Sequence, residues 1–455
     1  MTESRAEPPV VPATDPAAEP GTDASAAEDA SATGAAPPAG DTAPASDTAP
    51  AGEVALLELR DGLPKVVTSP RSLEEAVSTF AAAHGPVAVD AERASGHRYS
   101  QRAYLLQLRR NGAGTVLIDP VPFGEVPNEL LKPLSGAIAD SEWIIHAASQ
   151  DLACLAQLGM RPVHLFDTEL AGRLLGYPRV GLAALVEELL GYRMRKEHSA
   201  VDWSRRPLPE PWLLYAALDV EMLIELRDVL ATQLEATGKA DWAAQEFAAW
   251  ASMTAAPPRD EPWRRTSGIH RVRGRRGLAL ARAMWELRDD LAQRRDMTSS
   301  RILPDAAIVE AAVAAPKSRN ALSRLPGFAT RGAQRYLREF GAAIAGAMEL
   351  SDSELPSVAP RLNGPPPPRA WADKDPVAAA RLYRCRAAMN ELAQHHDVPQ
   401  ENLLAPDAVR RLAWSPPEPC DVPAVTAALE ELGARPWQVA LTATTLVEAI
   451  ADSST

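Results

Sequence analysis

An α/β domain built on a mixed sheet, trailed by two small all-α units and led by an acidic tail, is the fold class this 455-residue sequence predicts. Three observations predict it. Short apolar runs near 86–92, 103–109 and 115–119 are joined by polar turns, and from 143 the pattern changes to strand–helix alternation. A helical stretch near residue 291 recurs about a hundred residues later, the mark of a duplicated domain rather than a solenoid. Residues 1–53 hold ten acids against the single Arg5 and show no apolar periodicity.

Such a leading segment has too little apolar surface to offset the entropy of ordering, so 1–53 is expected to be disordered. It lacks the basic start and apolar centre of a secretory signal. An opening strand near 56–59 and a helix reaching about 83 follow, with Ser72 and Glu75 as the helix-start signal. The three apolar runs then read as an antiparallel meander. Trp143-Ile144-Ile145-His146 reads as a further buried strand, with a turn and an amphipathic helix opening near Asp151. One long helix from about 210 to 236 completes a domain spanning 54–250. The polar, basic stretch 251–276 reads as a linker. Beyond it, Leu291-Ala292-Gln293-Arg294-Arg295-Asp296-Met297 recurs as Leu392-Ala393-Gln394-His395-His396-Asp397-Val398. The repeat sets two helical units, 277–350 and 369–450, across a proline-rich linker at 351–368. No apolar stretch approaches the ~18 residues needed to cross a bilayer. Cys154, Cys385 and Cys420 are odd in number, far apart and without metal spacing, which suits a reduced cytoplasm.

The net charge of −13 conceals opposite halves. The tail carries −9, whereas residues 257–340 hold 18 Lys/Arg against 9 Asp/Glu. A basic block inside an acidic protein is an electrostatic footprint for phosphate, with Arg271, Arg273, Arg275 and Arg276 at its head. Only six of the 47 basic residues are lysine, a skew that coding in a GC-rich genome also produces.

The chemistry concentrates in separate elements. Asp90 and Glu92 end the run Pro86-Val87-Ala88-Val89, and residues two apart on a strand share a face. Tyr215 and Asp219 lie four apart in a helical pattern, again on one face. Asp151 is expected at a strand end between them. Carboxylates gathered this way suit hard divalent cations, which prefer oxygen ligands. A competing triplet, Asp167-Thr168-Glu169, runs into a helical pattern; there Asp167 reads as a helix cap, and residues two apart on a helix do not face each other.

Asp90/Glu92, Asp151 and Tyr215/Asp219, in that order, resemble the three motifs of the DEDD 3′–5′ exonucleases, in their tyrosine-bearing subgroup. The flanks Tyr104-Leu105-Leu106-Gln107-Leu108, Leu117-Ile118-Asp119-Pro120, Phe166-Asp167-Thr168 and Asp202-Trp203-Ser204-Arg205-Arg206-Pro207-Leu208 resemble bacterial ribonuclease D over roughly 52–250. The first repeat resembles an HRDC domain, with Leu325-Pro326-Gly327-Phe328 as the turn such modules bring near nucleic-acid backbone. The second, with Leu432-Gly433-Ala434-Arg435-Pro436-Trp437 at the equivalent place, resembles a diverged copy.

The resemblance implies a ribonuclease H-like exonuclease domain that trims structured or precursor RNA, of tRNA type, from a free 3′ end and releases nucleoside 5′-monophosphates. It implies two divalent cations, Mg²⁺ or Mn²⁺, held by Asp90, Glu92, Asp151 and Asp219, with Tyr215 orienting the attacking water. It also puts Arg93, Arg102, Gln107, His146 and Trp203 beside the nucleic acid. Two departures stand out. Arg93 follows Glu92 where an aromatic is common, and Ala147 occupies a place usually held by Asn or Gly. A monomer without membrane association is expected. A DNA-directed exonuclease and a catalytically silent nucleic-acid-binding protein on the same fold remain open, as does a scaffolding role for the tail and helical units.

Overall fold

The computed structural model of the chain describes residues 54–127, 129–195, 200–253, 260–358 and 364–452. The expected disordered tail at 1–53 lies outside them. The strands are β1 (Ala55–Leu56), β2 (Val66–Val67), β3 (Val87–Arg93), β4 (Ala103–Arg110), β5 (Gly114–Ile118), β6 (Glu142–Ile145), β7 (His164–Asp167) and β8 (Tyr192–Arg193). Six form one mixed sheet in the order β2-β5-β4-β3-β6-β7, while β1 and β8 pair separately. The meander β3-β4-β5 is antiparallel, as the turn spacing predicts, and β6 and β7 add in parallel beside β3.

Helices cover both faces. Helix α1 (Pro70–Ala82) begins one turn earlier than its predicted signal. Ser69 is the cap, and Ser72 closes the reciprocal hydrogen bonds of a capping box three residues on. After α2 (Leu152–Ala156), α3 (Thr168–Leu174) and α4 (Leu182–Leu190), the predicted single long helix is two. It breaks at Met222, whose φ of −112° and ψ of 6° are not helical, giving α5 (Glu210–Glu221) and α6 (Leu223–Ala236). The break lets α5 cross β3, β4 and β5 while α6 packs behind β6. Ala216 and Ala217 of α5, both fully buried, allow the helix to lie close on the sheet. Helix α7 (Ala240–Ala251) ends the domain.

The two helical units share one backbone pattern at their starts. Helix α8 (Gly274–Arg295) ends on Asp296 in the left-handed conformation, followed by a four-residue helix and α9 (Asp305–Ala314), and α10 (Leu337–Glu349) closes the unit. Helix α11 (Pro376–His396) likewise ends on left-handed Asp397, followed by a four-residue helix, α12 (Pro406–Trp414), α13 (Val422–Glu431) and α14 (Pro436–Ala451). The two units are built into the molecule differently. The first has its own apolar core around Met284, Ile308, Phe328 and Phe340. The second shares one continuous core with the sheet domain, from Val89 and Trp143 through Phe247 to Met389 and Leu446. Trp242 stacks on Trp437 with centroids 4.8 Å apart, and Trp437 Nε1 donates to Glu246 at 3.1 Å.

The first unit docks on the loop between β3 and β4. Tyr99 donates its hydroxyl to Asp289 at 3.1 Å, Asp296 accepts from the Ser100 amide at 2.8 Å and from the Tyr104 hydroxyl at 3.2 Å, and the Thr298 amide donates to the His97 carbonyl. The Leu325–Phe328 turn is a 3₁₀ segment with Phe328 fully buried. Its Gly327 lies so close to Ala307 that a Cβ there would come within 2.5 Å, so this turn is part of the unit's packing.

Candidate active site

Three elements converge on one cleft. Strand β3 presents Asp90 and Glu92 from the same face, and helix α5 crosses that face with Tyr215 and Asp219 turned toward it. Carboxylate oxygens of Asp90, Glu92 and Asp219 all lie within 4.8 Å of one another. Each keeps part of its surface open to solvent, whereas Asp151 is buried against Asp90. The register of β3 shifts between Glu92 and Arg93, a bulge of the kind that re-aims side chains beside active sites. Arg93 Nε then lies 3.5 Å from Asp151, and its Nη2 donates to Gln150.

Asp151 is presented by a strained turn. After β6, Ala147 adopts φ 58° and ψ 52°, a region that Asn and Gly enter readily and alanine seldom does. Asp167 holds it there. Its carboxylate accepts from the Ala147 amide at 3.1 Å and the Ala148 amide at 2.8 Å, besides capping α3 through the amides of Glu169 and Leu170. The predicted cap is therefore present, and the same side chain also fixes the loop leading to Asp151. Sequence reasoning missed that second contact; the alanine in an Asn/Gly position was its one trace.

Electrostatics mark the cleft as short of positive charge. Burial pushes all four acids upward, and mutual repulsion adds to it for Glu92, Asp151 and Asp219; a backbone hydrogen bond from Ala91 opposes the rise at Asp90. Burial, then the Asp219 charge, raises the Tyr215 phenol, which hydrogen-bonds Asp219. Such a phenol stays protonated at neutral pH, a donor and not a base. Burial also raises Asp167 to about 6 and the Cys154 thiol to about 12, and lowers His146 to about 4. Three half-buried carboxyls and the buried Asp151, with Arg93 the one cation beside them among the described residues, are a donor set that hard divalent cations fit.

Two expected nucleic-acid contacts are corrected, and others are engaged by protein groups. Gln107 and Trp203 are fully buried, because β4 is covered along its whole length and Trp203 packs edge-on against Trp212. Arg102 is about nine-tenths buried, set against Tyr104 and 3.6 Å from Glu125. His146 shares a 2.9 Å hydrogen bond between its Nδ1 and Thr168. Arg275 donates to the carbonyls of Asp352, Leu355 and Pro356, and Arg276 to those of Ala347 and Leu350, so both tie down the segment after α10. Arg271, Arg273 and Arg275 are exposed, Arg275 with its guanidinium engaged by those carbonyls. The flanking motifs prove structural as well. Arg206 forks onto Asp119 at 2.6 and 2.7 Å and reaches the Tyr104 carbonyl, joining the loop ahead of α5 to the sheet.

Residues 64–235 match the family described as 3′-5′ exonuclease, 277–344 the HRDC domain, and 364–450 the 3′ to 5′ exonuclease C-terminal domain. The second helical unit thus matches a description separate from HRDC. The chain is 33% identical over 337 residues to a ribonuclease D of Gluconacetobacter diazotrophicus, covering 72% of this chain and 81% of that one. It is 32% identical over 372 residues to a ribonuclease D of Granulibacter bethesdensis, covering 80% and 89%. Among solved structures, a protein from Bifidobacterium adolescentis aligns with a TM-score of 0.78 and 36% identity over 88% of this chain and 100% of that one. Escherichia coli RNase D aligns with a TM-score of 0.63 at 23% identity, over 86% and 99%, a likeness of fold.

Proposed function

This chain belongs to the ribonuclease D family of 3′–5′ exoribonucleases, and from that premise we propose that it trims structured or precursor RNA, tRNA-type precursors included, from a free 3′ end with two divalent cations, Mg²⁺ or Mn²⁺. The observation carrying the reading is the group of Asp90, Glu92 and Asp219 oxygens within 4.8 Å, with Asp151 buried beside them. Asp90, Glu92, Asp151 and Asp219 would hold the ions. When bound, such a pair of ions supplies charge neutralisation and Lewis acidity at the scissile phosphate.

The protein's own groups supply the rest. Tyr215, protonated and tied to Asp219, orients the attacking water. Water adds to the terminal phosphorus, the P–O3′ bond breaks, and the shortened RNA leaves with its 3′-hydroxyl while a nucleoside 5′-monophosphate is released. Arg93, 3.5 Å from Asp151, compensates charge in the cleft. Exposed Arg271 and Arg273 hold upstream phosphates, contacts that add affinity without reading sequence. The Escherichia coli relative is described as an exoribonuclease involved in structured RNA processing, in keeping with this substrate class.

The test is product analysis on matched RNA and DNA oligomers with 3′-hydroxyl ends, each with Mg²⁺ and Mn²⁺. Mononucleotide release from RNA is expected, abolished by Asp90→Asn with RNA binding retained. Preference for the DNA strand would overturn the substrate class, and wild-type turnover by Asp90→Asn would overturn the ligand set.

A further inference from the structure

Gln107 sits on β4 directly opposite Asp90 in the antiparallel register, so the two side chains leave the same face of the sheet. Residues paired this way have Cβ atoms about 4.5–5.5 Å apart. Helix α5, which carries Asp219, covers that face, and Gln107 is fully buried beneath it. Neither its Oε1 nor its Nε2 has a hydrogen-bond partner among the described residues. Its neighbour two residues on, Arg109, differs in that its guanidinium does find protein partners through Nη1, although its Nε is unpaired among the described residues. It lies 3.2 Å from buried Glu221 and bonds Asp61 and Thr115.

A buried amide left unpaired costs about 1–3 kcal/mol, and β4 is otherwise fully packed, so a leucine or methionine would serve the core better. The amide therefore lacks a partner that a different state of the cleft provides. The group next to it that changes state is the Asp90 carboxylate. We propose that Gln107 is a positioning residue for the cation site, its side-chain N–H donating to the Asp90 carboxylate when divalent ions occupy the cleft. This rests on the assignment of Asp90 as a ligand. Groups that orient ligands in this way typically change metal affinity by about 10–100-fold when removed.

The experiment titrates metal-free full-length protein with Mn²⁺ by calorimetry and by thermal unfolding, comparing wild type, Gln107→Met and Asp90→Asn. Gln107→Met keeps the volume and removes the amide. It is expected to unfold at or above the wild-type temperature without metal, yet bind Mn²⁺ about 10–100-fold more weakly. At saturating Mn²⁺ most of kcat should return, with KM for RNA unchanged. A metal midpoint within twofold of wild type overturns the proposal. So does a metal-free variant that is less stable, since the amide would then be satisfied by a buried water and be structural. Should Gln107→Met not fold, the side-chain amide of ¹⁵N-glutamine-labelled wild-type protein decides. A Gln107 resonance that shifts and gains exchange protection with Mg²⁺ supports the assignment, and an unmoved one overturns it. Asp90→Asn separates the two levels. If it binds Mn²⁺ like wild type, the ligand set itself is wrong; if it loses binding while Gln107→Met does not, only the role of Gln107 fails.

Discussion

Replacing Asp219 by Asn should stabilise the metal-free protein while destroying its activity. Asp219 has carboxylate neighbours in Asp90 and Glu92 with ligand oxygens within 4.8 Å. Two unit charges at that distance repel by about 3.5 kcal/mol at an effective dielectric of about 20. Two such neighbours, at that separation or closer, repel by about 7 kcal/mol or more when the cluster is fully ionised, and proton uptake relieves much of it. A residual gain on the order of 2 kcal/mol would raise the unfolding temperature by about 4–8 °C for a domain of this size. Asparagine still accepts from Tyr215, so the hydrogen bond is kept. Scanning calorimetry in EDTA and in Mg²⁺ at pH 7 and pH 5 measures it. The sign in pH follows from the raised carboxyls, because the folded state holds more protons than the unfolded. Metal-free wild type should therefore gain stability as pH falls toward the ordinary carboxyl range, and the variant less so. Mg²⁺ should stabilise wild type strongly and the variant weakly. An Asp219→Asn protein that is less stable in EDTA, with an undiminished Mg²⁺ gain, would refute the charge-cluster reasoning.

Tyr215→Phe should lose about 10²–10⁴-fold in turnover with its Mg²⁺ stabilisation intact, and a neutral effect would reduce Tyr215 to packing. His146, lowered to about 4 against an ordinary 6.5, favours the folded state above pH 6.5 and loses that contribution as pH falls toward 4. Urea unfolding of wild type and His146→Gln across this window should differ by at most about 3 kcal/mol, and parallel profiles would contradict it. Trp437→Ala should cost about 3–5 kcal/mol and destabilise the sheet domain together with the second helical unit, read as one transition by calorimetry. Arg271→Ala with Arg273→Ala should weaken RNA binding and reduce the slope of log K against log salt by about 1–2, whereas an unchanged slope would remove both from the phosphate path.

The carboxylates were readable because their spacing is the spacing of their elements. Period two carries Asp90 and Glu92 to one face, and i,i+4 carries Tyr215 and Asp219. What stayed hidden depends on what lies on top. Residues 103–110 are buried on both faces, so alternation does not distinguish Gln107 and Trp203's neighbours as interior. The break at Met222 carries no Gly or Pro and goes with the packing of α5 on β3, β4 and β5 and of α6 on β6 and β3. Arg275 and Arg276 read as phosphate ligands because charge is visible in sequence and the carbonyls they bind, from 347 to 356, are not. Burial of Asp167 against the Ala147 turn is a contact across two strands, to which local periodicity is blind.

The left-handed aspartates that end α8 and α11 do more than stop their helices. Asp296 plugs into the Ser100–Tyr104 corner next to the cleft. Asp397 sits against Gly176, where an added Cβ would come within 2.6 Å of its carboxylate, and takes the Lys239 ammonium on its carbonyl. The same helix-ending aspartate thus serves as a peg in two sockets on the same body. The two fits differ: the second unit shares the catalytic domain's core, and the first is held by polar contacts and the Tyr99 ring. A change inside the first unit's core stays within that unit, whereas a change in the second unit's core reaches the sheet that carries the carboxylates.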